Sequence, residues 1–138
     1  MPARDEGDAP MTKWKSDQLD KIGKAEEVQI ASVRRDGTLG KPVTVWAVRH
    51  GDHLYVRSVR GRSGHWFLGT QDRHEGRIRT GGVQQDVTFV DADHDINAEI
   101  DAAYRTKYRR YAGRILDSVL TPEARATTLK LVPRSTGY

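Results

Sequence analysis

From residue 26 onward the chain alternates apolar and polar positions at the period of a strand. Val28, Ile30 and Ser32 fall on one side of residues 26–33 and Gln29, Ala31 and Val33 on the other, the two-residue repeat of a half-buried strand. Asp36-Gly37 then signals a hairpin turn. Residues 43–48 are β-branched and aromatic behind Pro42, and His50-Gly51-Asp52 turns the chain into a strand over 53–58. A Gly/Arg/Ser loop fills 59–64, and 65–70 reads as a short helical turn. Residues 77–80 and 83–90 form a hairpin around Gly81-Gly82. After Asp95 the period lengthens. Ile100, Tyr104, Tyr108, Tyr111, Ile115 and Val119 recur at three- and four-residue steps, the stripe of one long amphipathic helix with Asp95 or Asn97 as its cap. Thr121-Pro122-Glu123 opens another short helix, and 127–132 makes a last strand that Pro133 stops. Ahead of all this, a helix over 16–22, capped by Ser16 and stopped by Gly23, turns Leu19 and Ile22 inward. Residues 1–13 form a polar leader and 14–138 a single domain. The order implies an α+β fold: a small antiparallel barrel, which protects many short strand edges, with a long C-terminal helix.

Composition narrows the chemistry. With 138 residues, 36% of them hydrophobic, the chain supports one core. It has no cysteine, which excludes disulfides, thiolate metal sites and cysteine nucleophiles. No apolar run approaches the ~18 residues of a membrane span, and the first ten residues lack a signal peptide's apolar stretch; the expected location is cytoplasmic. The formal net charge is +4, from sixteen Arg and seven Lys against 19 acids. That ratio fits either GC-rich codon usage or a demand for bidentate oxyanion binding.

Most motifs fail on inspection. Asp91-Ala92-Asp93-His94-Asp95 resembles a calcium loop, but Ile96 stands where its glycine belongs and Ala102 where its bidentate Glu belongs. His50 and His53 flank a hairpin turn, where exposed turn histidines are the simpler reading than a shared metal, so no metal is expected. The informative stretch runs from Tyr55 to Trp66. There Arg57, Ser58, Arg60 and Ser63, with two glycines, offer guanidinium forks, hydroxyls and backbone N–H groups to a dianion. Trp66 just beyond, and Trp46 on the preceding strand, can wall a flat ring. The competing reading is a solvated loop with Trp66 plugging the barrel end. On the long helix, Tyr104 and Lys107 are either core residues or groups that face the cleft.

These residues also carry a resemblance. Ile30 to Gly37, Pro42 to Val48 with Trp46, Tyr55 to Gly61, Trp66, Gly76-Arg77-Ile78-x-x-Gly81-Gly82-x-x-x-Asp86-Val87, Tyr104-x-x-Lys107-Tyr108 and Thr128-Leu129-x-Leu131-x-Pro133 resemble the bacterial domain-of-unknown-function family 2255, over roughly residues 14 to 134. That family is similar in turn to the flavin- and deazaflavin-binding split β-barrels. The resemblance implies a split barrel in which a strand end and its following loop grip a cofactor phosphate, here Arg57, Ser58, Arg60 and Ser63. It also implies a homodimer. Neither the Lys-rich phosphate loop of the pyridoxamine-oxidase type nor the Ser-Gly-Lys turn of the deazaflavin reductases is present.

Three functions stay open. One is an oxidoreductase that uses FMN or coenzyme F420 on a small organic substrate, with Trp46 and Trp66 against the ring and Tyr104 or His65 as proton donor. Another is a cofactor-free isomerase, cyclase or lyase in the same cleft, with His65, Tyr104 and Lys107 stabilising an oxyanion. The third is a polyanion or nucleic-acid binder using Arg57, Arg60, Arg62, Arg73, Arg77 and Arg79. Asp72 and Glu75 interrupt that run, so nucleic acid is the least expected partner.

Overall fold

The computed structural model describes residues 13–134. The leader expected over residues 1–13 therefore lies, apart from Lys13, outside the described residues. Seven strands form one antiparallel sheet: β1 (Val28–Ser32), β2 (Val43–Val45), β3 (Ala47–His50), β4 (His53–Val56), β5 (Glu75–Thr80), β6 (Val83–Asp91) and β7 (Leu129–Pro133). Their spatial order is β2-β1-β5-β6-β7-β4-β3. The two edge strands are consecutive in the chain, with only Trp46 between them. One stretch of chain thus pairs with β1 at one end of the sheet (Val28 opposite Val45) and with β4 at the other (Ala47 opposite Val56). The sheet curls into a nearly closed barrel, which leaves little edge to pair with other chains. The expected single strand over 43–48 is really two, and the break is the seam of the barrel.

The barrel interior takes one side of each strand's alternation. Val28, Ile30, Ala47, Leu54, Val56, Ile78, Val87, Phe89, Leu129 and Leu131 pack together there. Helix α1 (Ser16–Lys24) adds Leu19 and Ile22 to the same core. Lys15, rather than Ser16, caps it, its N–H donating to Gln18 Oε1 at 3.0 Å, and the helix passes through Gly23. Gly76 is obligatory on β5: a Cβ there would lie 2.2 Å from the Ala31 carbonyl and 2.5 Å from the Phe89 ring. Helix α2 (His65–Arg73) follows a 3-10 turn at Gly61–Ser63 and is longer than the single turn expected.

The long C-terminal helix does not form. Helix α3 (Asn97–Lys107) ends at Tyr108, a 3-10 turn covers Arg109–Tyr111, and a short α4 (Arg114–Asp117) resumes after Gly113. Gly113 has φ 104°, a region a side chain rarely occupies, and it redirects the chain. As a result Leu116 and Val119 point inward while Ile115 is 59% exposed. Ile100, Tyr104 and Tyr108 keep their inward places. With Leu116 and Val119 they build a second core on Val48 and Tyr55, the outward side of β3 and β4. Helix α5 (Pro122–Arg125) starts as its sequence implies, with Thr121 Oγ1 accepting from the Ala124 N–H at 3.0 Å.

Candidate functional site

The seam at Trp46 is held from behind by α3. Tyr104 Oη donates to the Trp46 carbonyl at 2.8 Å, and Lys107 Nζ donates to the Ala47 carbonyl at 2.6 Å. Tyr108 Oη donates to Glu26 O at 2.8 Å and approaches Ala47 O at 3.4 Å. Positions i, i+3 and i+4 share one helix face, so this one face supplies three donors where the strand changes partners. The Tyr108 ring stacks on Trp46, with centroids 3.9 Å apart and planes 5° apart. Burial pushes both tyrosine hydroxyls up from their ordinary pKa; for Tyr104 the neighbouring Arg57 partly offsets this. Burial brings the Lys107 ammonium down to about 8.

In front of Trp46 lies a cleft of about 220 Å³. Val45 and Trp46 form one wall and Trp66, on the first turn of α2, another; Val59, Ile115 and Val119 complete the apolar lining, with Glu27, Thr44, Ser118 and the edge of Arg57 as polar groups. Val59 and Ile115 are 54% and 59% exposed at its mouth. Sequence reasoning found both tryptophans but missed Glu27, Val59, Ile115 and Ser118. The signal for the last two was Gly113, which redirects the chain and swings α4 and the residues after it to the cleft.

Arg57 requires a correction. Its guanidinium is buried, and all five N–H groups have protein acceptors: Nε donates to Thr128 Oγ1 (2.9 Å), Nη1 to Asp101 Oδ1 (2.6 Å) and Val119 O (2.9 Å), and Nη2 to Asn97 O (3.2 Å) and Asn97 Oδ1 (3.1 Å). No donor is left for a phosphate, so Arg57 ties β4 to α3, to the turn after α4 and to β7. Arg125 Nε lies 3.2 Å from the other Asp101 oxygen. Tyr104 and Lys107 are corrected too. Neither lines the cleft: Tyr104 is fully buried, and Lys107 opens on a separate shallow groove beside Gly23, His50 and Glu99.

The remaining expected residues gather at the start of α2. Arg60, Ser63 and His65 are exposed, and Ser63 Oγ donates to Arg60 O at 2.9 Å. Gly64 caps the helix with no side chain, so the first N–H groups of α2 are free to meet an anion. Beneath it Ser58 is buried, and its hydroxyl has no hydrogen-bond partner among the described residues. A Cβ on Gly64 would sit 2.5 Å from that hydroxyl, so glycine is what permits the approach. The two indoles border the cleft and would suit a flat ring, and the uncapped start of α2 would suit a phosphate, but Ser58, Arg60, Ser63 and His65 do not line the cleft itself. The six arginines of the polyanion reading do not form one face: Arg57 is buried, and Arg73 and Arg77 line a different cavity with Glu75 and Asp86.

Residues 18–131 match the family model described as an uncharacterized protein conserved in bacteria, DUF2255. The chain belongs to this family. No curated protein matches it by sequence. Among solved structures it is similar to an F420 reductase (TM-score 0.50, 19% identity, 86% of this chain and 93% of that one). It also resembles the heme storage protein HutZ from Vibrio cholerae (0.57, 11%, 91% and 92%). A third is an FAD and heme binding protein from Mycobacterium smegmatis (0.53, 17%, 90% and 73%). The fold is thus the split β-barrel. Among the described residues of this family member, no helix is long and apolar enough to cross a membrane.

Proposed function

We propose that the cleft between Trp46 and Trp66 holds the ring of FMN or of deazaflavin F420, and that the protein is an oxidoreductase acting on a small organic substrate. The observation that supports this best is the pair of indoles from separate elements around an apolar cleft, directly beside the uncapped start of α2. The bound ring would supply hydride chemistry. The chain's own residues orient it: Tyr108 fixes the Trp46 plane from behind, and Trp66 and Val119 exclude water. Arg60, Ser63 and the α2 N–H groups hold the phosphate. His65, beside them on the surface, is the proton donor retained from the sequence reading. A second copy of the chain, covering Val59 and Ile115, would close the mouth of the cleft.

The cleft's volume favours a second reading. At about 220 Å³ it lies below the ~300–1,000 Å³ of most ligand pockets, which suits a small biosynthetic intermediate turned over by a cofactor-free isomerase, cyclase or lyase. Titrating the purified protein with FMN and with F420, followed by ligand and tryptophan fluorescence, separates the two. Saturable micromolar binding of either, weakened in Trp66→Ala and Arg60→Ala, supports the oxidoreductase. No saturable binding of either removes it in favour of the small intermediate.

A further inference from the structure

At the other end of α2, about 10 Å from Trp66 at 1.5 Å per residue, lies a separate cavity of about 250 Å³. Three guanidiniums line it: Arg73 from the last turn of α2, Arg77 from β5 and Arg134 just after β7. Two carboxylates, Glu75 and Asp86, face them. A guanidinium carries five N–H donors. Among the described residues, Arg77 uses one, Nε to Asp86 Oδ1 at 2.7 Å, and Arg73 uses one, to Arg35 O at 3.4 Å. The Arg134 guanidinium uses none, and its Nε is buried without a hydrogen-bond partner among the described residues. Glu75 is shared at longer range, 3.4 Å from Arg73 and 3.8 Å from Arg134. The two carboxylates therefore leave one net positive charge and most of the donors of the three arginines unmatched. A buried, unsatisfied charged donor beside a cavity calls for an explanation, and an anion bound among the other free guanidinium donors supplies one.

We propose that this cavity binds a phosphate monoester of a small polyol. The phosphoryl group carries about −1.5 to −2 charge and three acceptor oxygens at pH 7, which suits forks converging from three elements. The cavity is wider than a phosphate alone, and Glu75 and Asp86 can only accept hydrogen bonds, so the rest of the ligand supplies donors, as hydroxyls do. This site is independent of the indole cleft.

The test is calorimetric titration at fixed ionic strength with glycerol 3-phosphate, inorganic phosphate and glycerol. Glycerol 3-phosphate should bind saturably and more tightly than inorganic phosphate. Both Arg73→Gln and Arg134→Gln should weaken it about tenfold or more, the loss of one charge-assisted hydrogen bond. Both residues are partly exposed, so the variants should fold, and circular dichroism checks this. Arg60→Ala and Trp66→Ala, which test the cleft, should leave the affinity unchanged. The proposal is overturned by an absence of saturable binding, by equal affinity for phosphate and its glycerol ester, or by binding that survives both glutamine variants and is lost in Arg60→Ala. Because the two sites are tested by different variants, either can fail without the other.

Discussion

The two sides of Trp46 are built on opposite terms. Behind it, Tyr104 and Lys107, which sequence reasoning thought reactive, have protein partners on the seam carbonyls, and Arg57, though its edge borders the cleft, has its donors taken by Thr128, Asp101, Val119 and Asn97. In front of it, apolar side chains are exposed, a helix start is uncapped and the Ser58 hydroxyl is orphaned. Satisfied buried donors stiffen a structure. Unsatisfied groups beside a cleft are where a ligand gains by binding. Residue type alone does not separate the two, since Arg57 and Arg60 are the same amino acid three positions apart.

That pair offers the hardest way to break the comparison. Arg57→Ala leaves buried Asp101 with only Arg125 and Asn97 with only Thr128, and removing one member of a buried ion pair costs about 3–5 kcal/mol. In urea unfolding the midpoint should fall steeply, whereas Arg60→Ala should leave it in place and weaken only phosphate-bearing ligands. If Arg57→Ala instead keeps wild-type stability and loses ligand binding, the side behind Trp46 is a binding site after all.

The strands were readable because alternation and the Asp36-Gly37, Gly51 and Gly81-Gly82 turns are local signals. The seam was not, because residues 43–48 show an unbroken β pattern; what divides them is a change of pairing partner, settled by β1 and β4. The helix break hid inside a stripe whose spacing never faltered, with Gly113 its one cue. The burial of Arg57 was illegible for a different reason. Its side-chain partners lie 40 to 71 positions away, and an arginine before a Gly/Ser loop looks the same whether it enters the loop or turns back beneath it. Trp46 and Trp66 were legible because large aromatics beside a loop suit few other places.

A gentler effect comes from Lys107. Its folded-state pKa, about 8, lies below the ordinary 10.5. Between those values the unfolded chain binds a proton that the folded chain has released, so stability rises with pH across that window. The buried tyrosines, raised above their ordinary 10.0, act oppositely: above pH 10 the unfolded chain ionises first and stability falls. The window to measure is therefore pH 8 to 9.5. Urea midpoints should climb there in the wild type and stay flatter in Lys107→Met, in which the titrating amine is gone. Equal slopes would mean that the amine is not buried behind the seam.

The smallest effect on stability sharpens the comparison most. Ser58 is as buried as Arg57 and next to it in sequence, yet its hydroxyl has no partner among the described residues. If Ser58 belongs with the groups behind Trp46, Ser58→Ala should lower the unfolding midpoint. If it belongs with the front, the substitution removes a hydroxyl that the folded protein leaves unsatisfied, and the midpoint should hold or rise slightly. Affinity for FMN or F420 should then fall by up to about tenfold, the value of one hydrogen bond to a charged phosphate. We expect the second pattern, because Gly64 leaves just enough room for that hydroxyl to lie against the start of α2. A lowered midpoint with unchanged affinity would move Ser58 behind the seam and leave the phosphate to Arg60, Ser63 and the helix N–H groups alone.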